Sequence, residues 1–479
     1  MLGSQMRRLP PVLFLLLLFS ACADEKTDVA SLSRPDFIII LADDLGYGDL
    51  GCFGNDRFKT PNIDALAAGG IRFTDFHSNG AVCSPTRAAL LTGRYQQRSG
   101  ISRVFTARNH RDTGLAPEET TLAEVLKPAG YRTALFGKWH LGYPKEYNPV
   151  HQGFDEFVGF LAGNVDYRIH IDQTGREDWW KQDRLTPEEG YTTDLMTDHA
   201  IDFIERNKDE PFLIYLAQAA PHYPYQGRDD PPKYTPGQGR DRSKDRFDIE
   251  IYREMIEVMD EDIGRVVEAV EEAGLKEKTL IVFFSDNGPV GRGSSGPFRG
   301  EKGSSFEGGH RVPALAYWPG RIRAGRVSDV TAMGADLFPT IAEAAGAKMP
   351  EGVTIDGVSL LSHLTEEEPL EPRYLYWGIK EELAVRHGDY KLISDEEFSR
   401  PRLYDLKTDI GERENVAEQH PELVKELVEK LRAWHRDVTE GVEERTPKRF
   451  HIRPADAGLE PPPRGSSHER RRRRKEVSD

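Results

Sequence analysis

Four short apolar runs constrain what this chain can fold into. Phe37–Leu41, Thr133–Phe136, Phe212–Leu216 and Leu280–Phe284 are rich in Ile, Val, Leu and Phe and lack clean polar alternation. Runs of this kind suit strands buried on both faces, as in the interior of a parallel sheet. Asn62–Ala68, Thr121–Ala129, Leu195–Arg206 and Ile251–Ala273 alternate with them and carry apolar residues at helical spacing. Strand–helix alternation on this scale predicts an α/β domain with helices on both sheet faces.

Each run leads directly into residues that carry chemistry. Phe37–Leu41 is followed by Asp43-Asp44, Thr133–Phe136 by Lys138 and His140, Phe212–Leu216 by His222, and Leu280–Phe284 by Asp286-Asn287. Ligands of open α/β sheets bind beyond the carboxyl ends of the strands. Taken singly, Asp43-Asp44 reads as a turn and His140 or His222 as a satisfied histidine. Four such coincidences at one kind of position point instead to one shared site. Asp43, Asp44, Asp286 and Asn287 offer only oxygen ligands, which suit Ca²⁺, or less well Mg²⁺, rather than zinc.

A fifth segment, Cys83-Ser84-Pro85-Thr86-Arg87 running on to Gly93, places a cysteine at the mouth of a helix. Pro85 suits the first helical position, Ala88–Leu91 propagate the helix and Gly93 can end it. The unpaired N–H groups of a helix start, with Arg87 one turn in, make a place to hold an anion. The plainer alternative is a buried structural cysteine.

After about residue 370 the pattern changes to short strands at Tyr374–Trp377, Leu383–Arg386, Tyr390–Ile393 and Leu403–Leu406, then an amphipathic helix at Leu423–Val438. This predicts a small antiparallel sheet with one covering helix. The expected organisation is a leader over 1–23, a tether over 24–34, a catalytic domain over 35–370, a C-terminal subdomain over 371–440 and a disordered tail over 441–479. Arg7, Arg8 and the apolar stretch Val12–Phe19 mark the leader, too short to span a bilayer. Phe19-Ser20-Ala21-Cys22 resembles a lipobox, and Ala21-Cys22-Ala23 fits ordinary cleavage. The polar run that follows favours lipidation of Cys22 and membrane attachment. Either way the chain is exported, to a bacterial periplasm, a membrane anchor or the medium. With Cys22, Cys52 and Cys83 as the only cysteines, no disulfide framework is expected, and Cys52 reads as a small buried residue. The net charge of −16 argues against nucleic acid as a partner; the basic run Arg470–Lys475 reads as a solvated tail.

The motifs resemble those of the type I sulfatases of the alkaline-phosphatase superfamily. Cys83-Ser84-Pro85-Thr86-Arg87 matches C-x-P-x-R, and Leu41–Asp49, Thr60–Asp64 and Gly130–Thr133 with Gly137–His140 match further segments. Ser285–Gly288, Gly300–Gly303, Phe306–Gly309 and Leu403–Asn415 complete the pattern. Gly296–Arg299 and Phe306–Arg311 resemble the branch that contains arylsulfatase A and N-acetylgalactosamine-6-sulfatase. The resemblance implies a large, mixed, mainly parallel sheet and a sulfate-ester hydrolase needing Ca²⁺ and a maturing enzyme that oxidises Cys83 to formylglycine. A gem-diol hydroxyl of that residue would attack sulfur to give a covalent sulfo-enzyme. Asp43, Asp44, Asp286, Asn287 and the modified Cys83 would hold the metal. Lys138 and Lys302 would bind sulfate oxygens, and Arg87 would support the diol. His222, with Lys302, would protonate the leaving alcohol, and His140 would deprotonate the second hydroxyl to release sulfate. Some relatives set a serine or histidine against the sulfate after the second signature. This chain has neither at the corresponding position, and Asn164, Asp166 or His170 would face the sugar of a sulfated saccharide. The alternatives are a phosphonate or phosphodiester hydrolase, against which Asn287 counts, and a non-catalytic sulfoglycan-binding protein that keeps Cys83 as a thiol.

Overall fold

The computed structural model describes Met1 and residues 34–241, 246–379 and 381–447. Apart from Met1, the leader with Cys22 lies outside them, as do the tether up to Ser33 and the tail from residue 448 onward.

The four apolar runs form the middle of a ten-stranded sheet. Asp36–Ala42 pairs in parallel with Thr279–Ser285 on one side and Phe212–Ala217 on the other. Arg132–Lys138 continues the parallel order, followed by Glu156–Phe160. Antiparallel pairing enters only toward the edges, where Ala314–Tyr317 joins Thr279–Ser285 and the two-residue strand Trp180–Lys181 joins Glu156–Phe160. All seven residues of Asp36–Ala42 are buried. Phe37, Ile39 and Leu41 enter one core and Ile38, Ile40 and Ala42 the other, which explains the missing polar alternation. Helices Pro61–Gly69, Thr192–Asn207 and Ile249–Glu272 cover the second face, and Cys83–Thr92, Leu122–Leu126 and Leu337–Ala344 the first. The expected helix Thr121–Ala129 is shorter than its pattern. It stops at Leu126 and tightens into a turn over Lys127–Ala129, because Pro128 supplies no N–H for another α-helical bond.

The C-terminal sheet has the antiparallel order Tyr374–Ile379, Glu382–His387, Tyr390–Asp395, Arg402–Asp405, with helix Pro421–Thr439 packed in its core. Past this helix, Arg445 and Thr446 bond back to the body. The Arg445 N–H donates to the Gly100 carbonyl at 2.7 Å, and the Arg103 N–H to Thr446 Oγ1 at 2.9 Å. Cys52 is half-buried rather than enclosed, in a short turn whose N–H donates to Asp64. Among the described residues no helix is long and apolar enough to cross a membrane.

Candidate active site

The carboxyl ends of the central strands do converge. Backbone bonds from Asp43 N to Ala220 O and from Asp286 N to Ala42 O, each 3.0 Å, extend the sheet register into the loops that bear the polar residues. Asp44 and His140 sit in the left-handed region at φ 67° and 57°, a cost tolerated where surrounding structure fixes the residue. The loop carrying Lys302 is clamped from two sides: Lys302 N donates to Pro289 O at 3.0 Å and Gly303 N to Ala81 O at 2.8 Å. Gly288 permits this approach, since a Cβ there would lie 1.9 Å from the Gly308 carbonyl oxygen.

Cys83 opens the helix Cys83–Thr92, so Pro85 lies third rather than first, still within the turn whose N–H groups need no helical acceptor. Gly93 ends it at φ 68° with its N–H on Ala89 O. Cys83 Sγ is 3.2 Å from Lys302 Nζ and 3.5 Å from Asp43 Oδ1. Burial, and next the charge of Asp286, pushes this thiol up to about 12, so the unmodified side chain is not a thiolate. Arg87 does not face a free anion. It is fully buried, with Nε and Nη2 on Asp286 Oδ2 at 3.2 and 2.8 Å and Nη1 on the Lys138 carbonyl at 3.0 Å. It orients a carboxylate and a strand end.

Lys138 Nζ is 2.6 Å from Asp43 Oδ2, and Lys302 Nζ contacts Asp44 Oδ1. Asn287 Nδ2 donates to Asp44 Oδ1 at 2.8 Å, whereas its buried Oδ1 has no partner. Burial pushes Asp44 upward, but Lys302, His222 and Asn287 outweigh it and bring it to about 2. Asp286 goes the other way, to about 6, through burial and the neighbouring charge of Asp43 despite Arg87. Ligating atoms of Asp43, Asp44, Cys83 and His222 lie within 4.8 Å of one another. Crowded carboxylates, one raised by its neighbour, beside an orphaned amide oxygen, fit a hard cation.

The two histidines present opposite ring nitrogens. His140 Nε2 is 2.7 Å from the Phe105 carbonyl and must donate to it, which leaves Nδ1 as a buried lone pair without a partner. His222 Nδ1 is 2.6 Å from the Tyr223 carbonyl, so its lone pair is on Nε2, 3.6 Å from Asp44. Burial keeps both rings neutral; for His222, Lys302 and Lys138 add to it and bring the ring to about 3 even though Asp44 pulls upward.

Among the described residues, none of the three residues expected against the sugar bonds to a member of this cluster. Asp166 is fully buried, with Oδ2 accepting from the N–H groups of Lys233 and Tyr234 and Oδ1 from those of Arg168 and Ile169. It ties two loops together. Asn164 Oδ1 accepts from the Tyr234 hydroxyl at 2.7 Å, and the buried His170 ring lies 4.5 Å from that of Trp179. Two contributors escaped the sequence reading. Tyr215, whose hydroxyl meets Arg87 at 3.4 Å, had a signal: a polar tip in a fully buried strand needs a partner. The carbonyl of Phe105 had none, because any residue could supply it.

Comparison with known proteins places this sheet, and the groups gathered beyond its carboxyl edge, in the alkaline-phosphatase superfamily of hydrolases. Within that class, the sulfatase family profile matches residues 35–347, and that of the N-sulphoglucosamine sulphohydrolase C-terminal region matches 300–437. The chain belongs to the sulfatase family. It is 35% identical over 461 residues to human arylsulfatase A, covering 82% of this chain and 86% of that one. Against the N-acetylgalactosamine-6-sulfatase of Canis lupus familiaris the identity is 35% over 386 residues, covering 74% and 71%. The crystal structure of Ps i-CgsB in complex with k-i-k-neocarrahexaose superposes with a TM-score of 0.77 at 30% identity, covering 89% of this chain and 96% of that one. The protein is therefore a sulfatase, an enzyme of a formylglycine- and metal-dependent family that hydrolyses aryl and carbohydrate sulfates.

Proposed function

We propose that this sulfatase desulfates a saccharide, with Cys83 converted to formylglycine by a maturing enzyme and one Ca²⁺ held by Asp43, Asp44, Asp286, Asn287 and residue 83. The observation that carries the reading is the placement of Cys83 Sγ between the Lys302 ammonium and the Asp43 carboxylate at a helix mouth. That sulfur stands where the modified side chain would present its oxygens. The saccharide class is supported by the N-acetylgalactosamine-6-sulfatase relative and by the neocarrahexaose bound to Ps i-CgsB.

Formylglycine, once hydrated, supplies two hydroxyls on one carbon, one to take the sulfo group and one to expel it, and the cation supplies charge compensation. The chain's own residues do the rest. Lys138 and Lys302 hold the sulfate oxygens, and Arg87 keeps Asp286 oriented. His140, neutral and with a free Nδ1, takes the proton of the second hydroxyl. His222 is neutral in the substrate-free site, and the negative charge of an arriving sulfate favours its protonation at Nε2. From there it donates to the leaving oxygen, beside the protonated Lys302. Export to a periplasm, with Cys22 as a lipid anchor, is part of the same proposal.

The test joins mass spectrometry of the peptide containing residue 83, elemental analysis, and rates on 4-nitrophenyl sulfate, 4-nitrophenyl phosphate and a panel of sulfated oligosaccharides. Formylglycine at 83, stoichiometric calcium and preference for a sulfated sugar are expected. A thiol at 83 in fully active protein, or faster phosphate than sulfate hydrolysis, would overturn the reading.

A further inference from the structure

The bond that fixes the His140 tautomer runs to a peptide shared with a third histidine, the buried His110. The Phe105 carbonyl that accepts from His140 Nε2 at 2.7 Å is one end of the peptide unit between Phe105 and Thr106. The other end of that unit, the Thr106 N–H, donates to His110 Nδ1 at 3.0 Å. A backbone N–H can only donate, so His110 presents a lone pair on Nδ1. Burial lowers this ring against the pull of the Pro447 carbonyl, Asp112 and Glu444, and keeps it neutral. Two imidazoles thus face the two ends of one planar amide. The amide is anchored on both sides. The Phe105 N–H donates to Ser84 Oγ at 3.1 Å, next to Cys83, and the Thr106 carbonyl accepts from the N–H groups of Asn109 and His110 at 3.1 and 3.0 Å. Gly163 closes the Nε2 edge of the His140 ring, where a Cβ would lie 2.7 Å from Nε2. Asp178 fixes that turn, its two oxygens accepting from the N–H groups of Leu161 and Ala162 at 3.1 and 2.8 Å.

We propose that His110 is a positioning residue for His140, acting through the peptide unit between Phe105 and Thr106. The inference rests on the role given to His140 above and deepens it. Hydrogen bonds in series polarise one another, so an N–H that has its acceptor makes the carbonyl of the same amide the stronger acceptor. A carbonyl that holds the proton on Nε2 leaves Nδ1 as the basic nitrogen. When Nδ1 takes a proton the ring becomes a cation, and its bond to that carbonyl becomes charge-assisted. His110 touches no reacting atom in this scheme. It holds the amide in the orientation that His140 needs.

The test uses the full chain and two replacements. His110→Phe keeps a ring edge-on to Phe105, as the native ring is at 6.1 Å, and removes the acceptor; His110→Asn puts an oxygen near the place of Nδ1. The first readout is the ring nitrogen NMR shifts of His140 in protein with labelled histidine, assigned by their loss in His140→Ala. The second is kcat, KM and intact mass during turnover of 4-nitrophenyl sulfate. In His110→Phe the His140 signals should move from the form protonated on Nε2 toward a mixture of tautomers. Its kcat should fall about ten- to a hundredfold, part of the roughly 10²–10⁴ that a positioned general base contributes, with KM falling too and protein carrying one added sulfo group accumulating. His110→Asn should restore most of both readouts, and in His140→Ala the further change to His110→Phe should cost little, since the two act as one unit. Urea unfolding shows that the variants are folded; should His110→Phe not fold, His110→Gln, whose amide sits one carbon farther out, takes its place. Unchanged His140 signals in His110→Phe, or losses that add in the double variant, would overturn the proposal. If the tautomer moves and His110→Asn restores it while His140→Ala gathers no sulfo group, the link between the histidines stands and the role of His140 in sulfate release falls.

Discussion

Two buried ionic clusters in this molecule have the same count of carboxylates and cations and opposite characters. The first holds Asp43, Asp44 and Asp286 with Arg87, Lys138 and Lys302. The second holds Asp75, Glu307 and Glu412 with Arg311, Arg386 and Lys391, and joins the C-terminal sheet to the body. His77, Glu307 and His310 of the second also bring ligating atoms within 4.8 Å of one another. Yet the position of a cation there is taken by the chain itself. Lys391 Nζ lies 2.9 Å from Glu307 Oε1, 3.0 Å from Glu412 Oε1 and 3.0 Å from His310 Nε2. A lysine can only donate, so His310 carries its proton on Nδ1 and donates to His77 Nδ1 at 3.0 Å. His77 then donates from Nε2 to Asp75 at 3.0 Å. Against the upward push of burial, His77, Arg311 and Arg386 hold Asp75 well below the usual carboxylate range, and Lys391 leads in doing the same for Glu307. Glu412, which shares Lys391, is raised by burial. In the first cluster the lysines lie on Asp43 and Asp44, Asp286 is raised, and Asn287 Oδ1 and His140 Nδ1 have no partner. Equal charge counts therefore do not make equal sites. What separates a structural cluster from a functional one is which polar atoms remain unsatisfied.

The largest effect that would break this distinction is on turnover. Cys83→Ala should lower kcat by roughly 10⁴-fold or more while moving unfolding by less than about 1 kcal/mol, because the nucleophile is lost and only one small side chain is removed. Cys83→Ser should be nearly as slow, since serine offers one hydroxyl to accept the sulfo group and no second one to expel it. Multiple-turnover kinetics with urea unfolding reads both. Full activity in Cys83→Ser would dissolve the functional character of the first cluster.

Lys391→Met should do the reverse. It strands Glu307 and Glu412 without their ammonium and opens the tautomer chain through His310, at a cost of about 3–5 kcal/mol. Urea unfolding would show it. If stability were instead restored by a divalent cation bound at His77, Glu307 and His310, the second cluster would be a metal site that the lysine merely imitates.

Much of this contrast could not be read from the chain. The central strands were legible because burial on both faces leaves continuous apolar runs: Phe37–Leu41 was expected where Asp36–Ala42 is found. The edges were not, since Ile71–Phe73 and Trp180–Lys181 are too short for any period to show. The convergence of Asp43, Lys138, His222 and Asp286 followed from their shared position after strands. Phe306–Arg311 stood out only as part of a family pattern, and nothing local reveals that Glu307 and His310 meet Lys391, because that pairing is set by how a distant antiparallel sheet docks. The commitment of Arg87 to Asp286, and the ring nitrogen each histidine leaves free, are likewise properties of packing and not of spacing.

Removal of the metal should produce the next largest effect. Occupancy at a hundredfold excess over Kd contributes about 2.7 kcal/mol of stability, so exhaustive chelation should lower Tm by several degrees and stop turnover, with calcium restoring both. In Lys391→Met the drop on chelation should be of similar size, since the two clusters do not share the ion. An unchanged Tm and rate, with no metal by elemental analysis, would remove the oxygen-ligand site.

The smallest effect concerns pH, and there Asp286 of the first cluster should pull against the buried histidines of both clusters, His140 and His222 included. His77 and His310 are lowered by burial, so below about pH 6.5 the unfolded chain binds protons that the folded chain refuses, and stability falls as pH falls through that range. Asp75 and Glu307, also lowered, contribute stability that is present above their ordinary values near 4 and is lost on further acidification. Asp286 has the other sign: raised to about 6 by burial and Asp43 in the metal-free chain, it holds a proton that the unfolded state releases near pH 4. Its contribution thus declines as pH rises from about 4 to about 6, with a slope of at most about 1.4 kcal/mol per pH unit. Urea unfolding between pH 4.5 and 7.5 should therefore rise with pH in calcium and be flattened in chelator. In Asp286→Asn the chelated profile should recover the slope of the calcium profile. If chelated Asp286→Asn stayed as flat as the native chain, the opposing titration would belong to another group, and the first cluster would be as self-satisfied as the second.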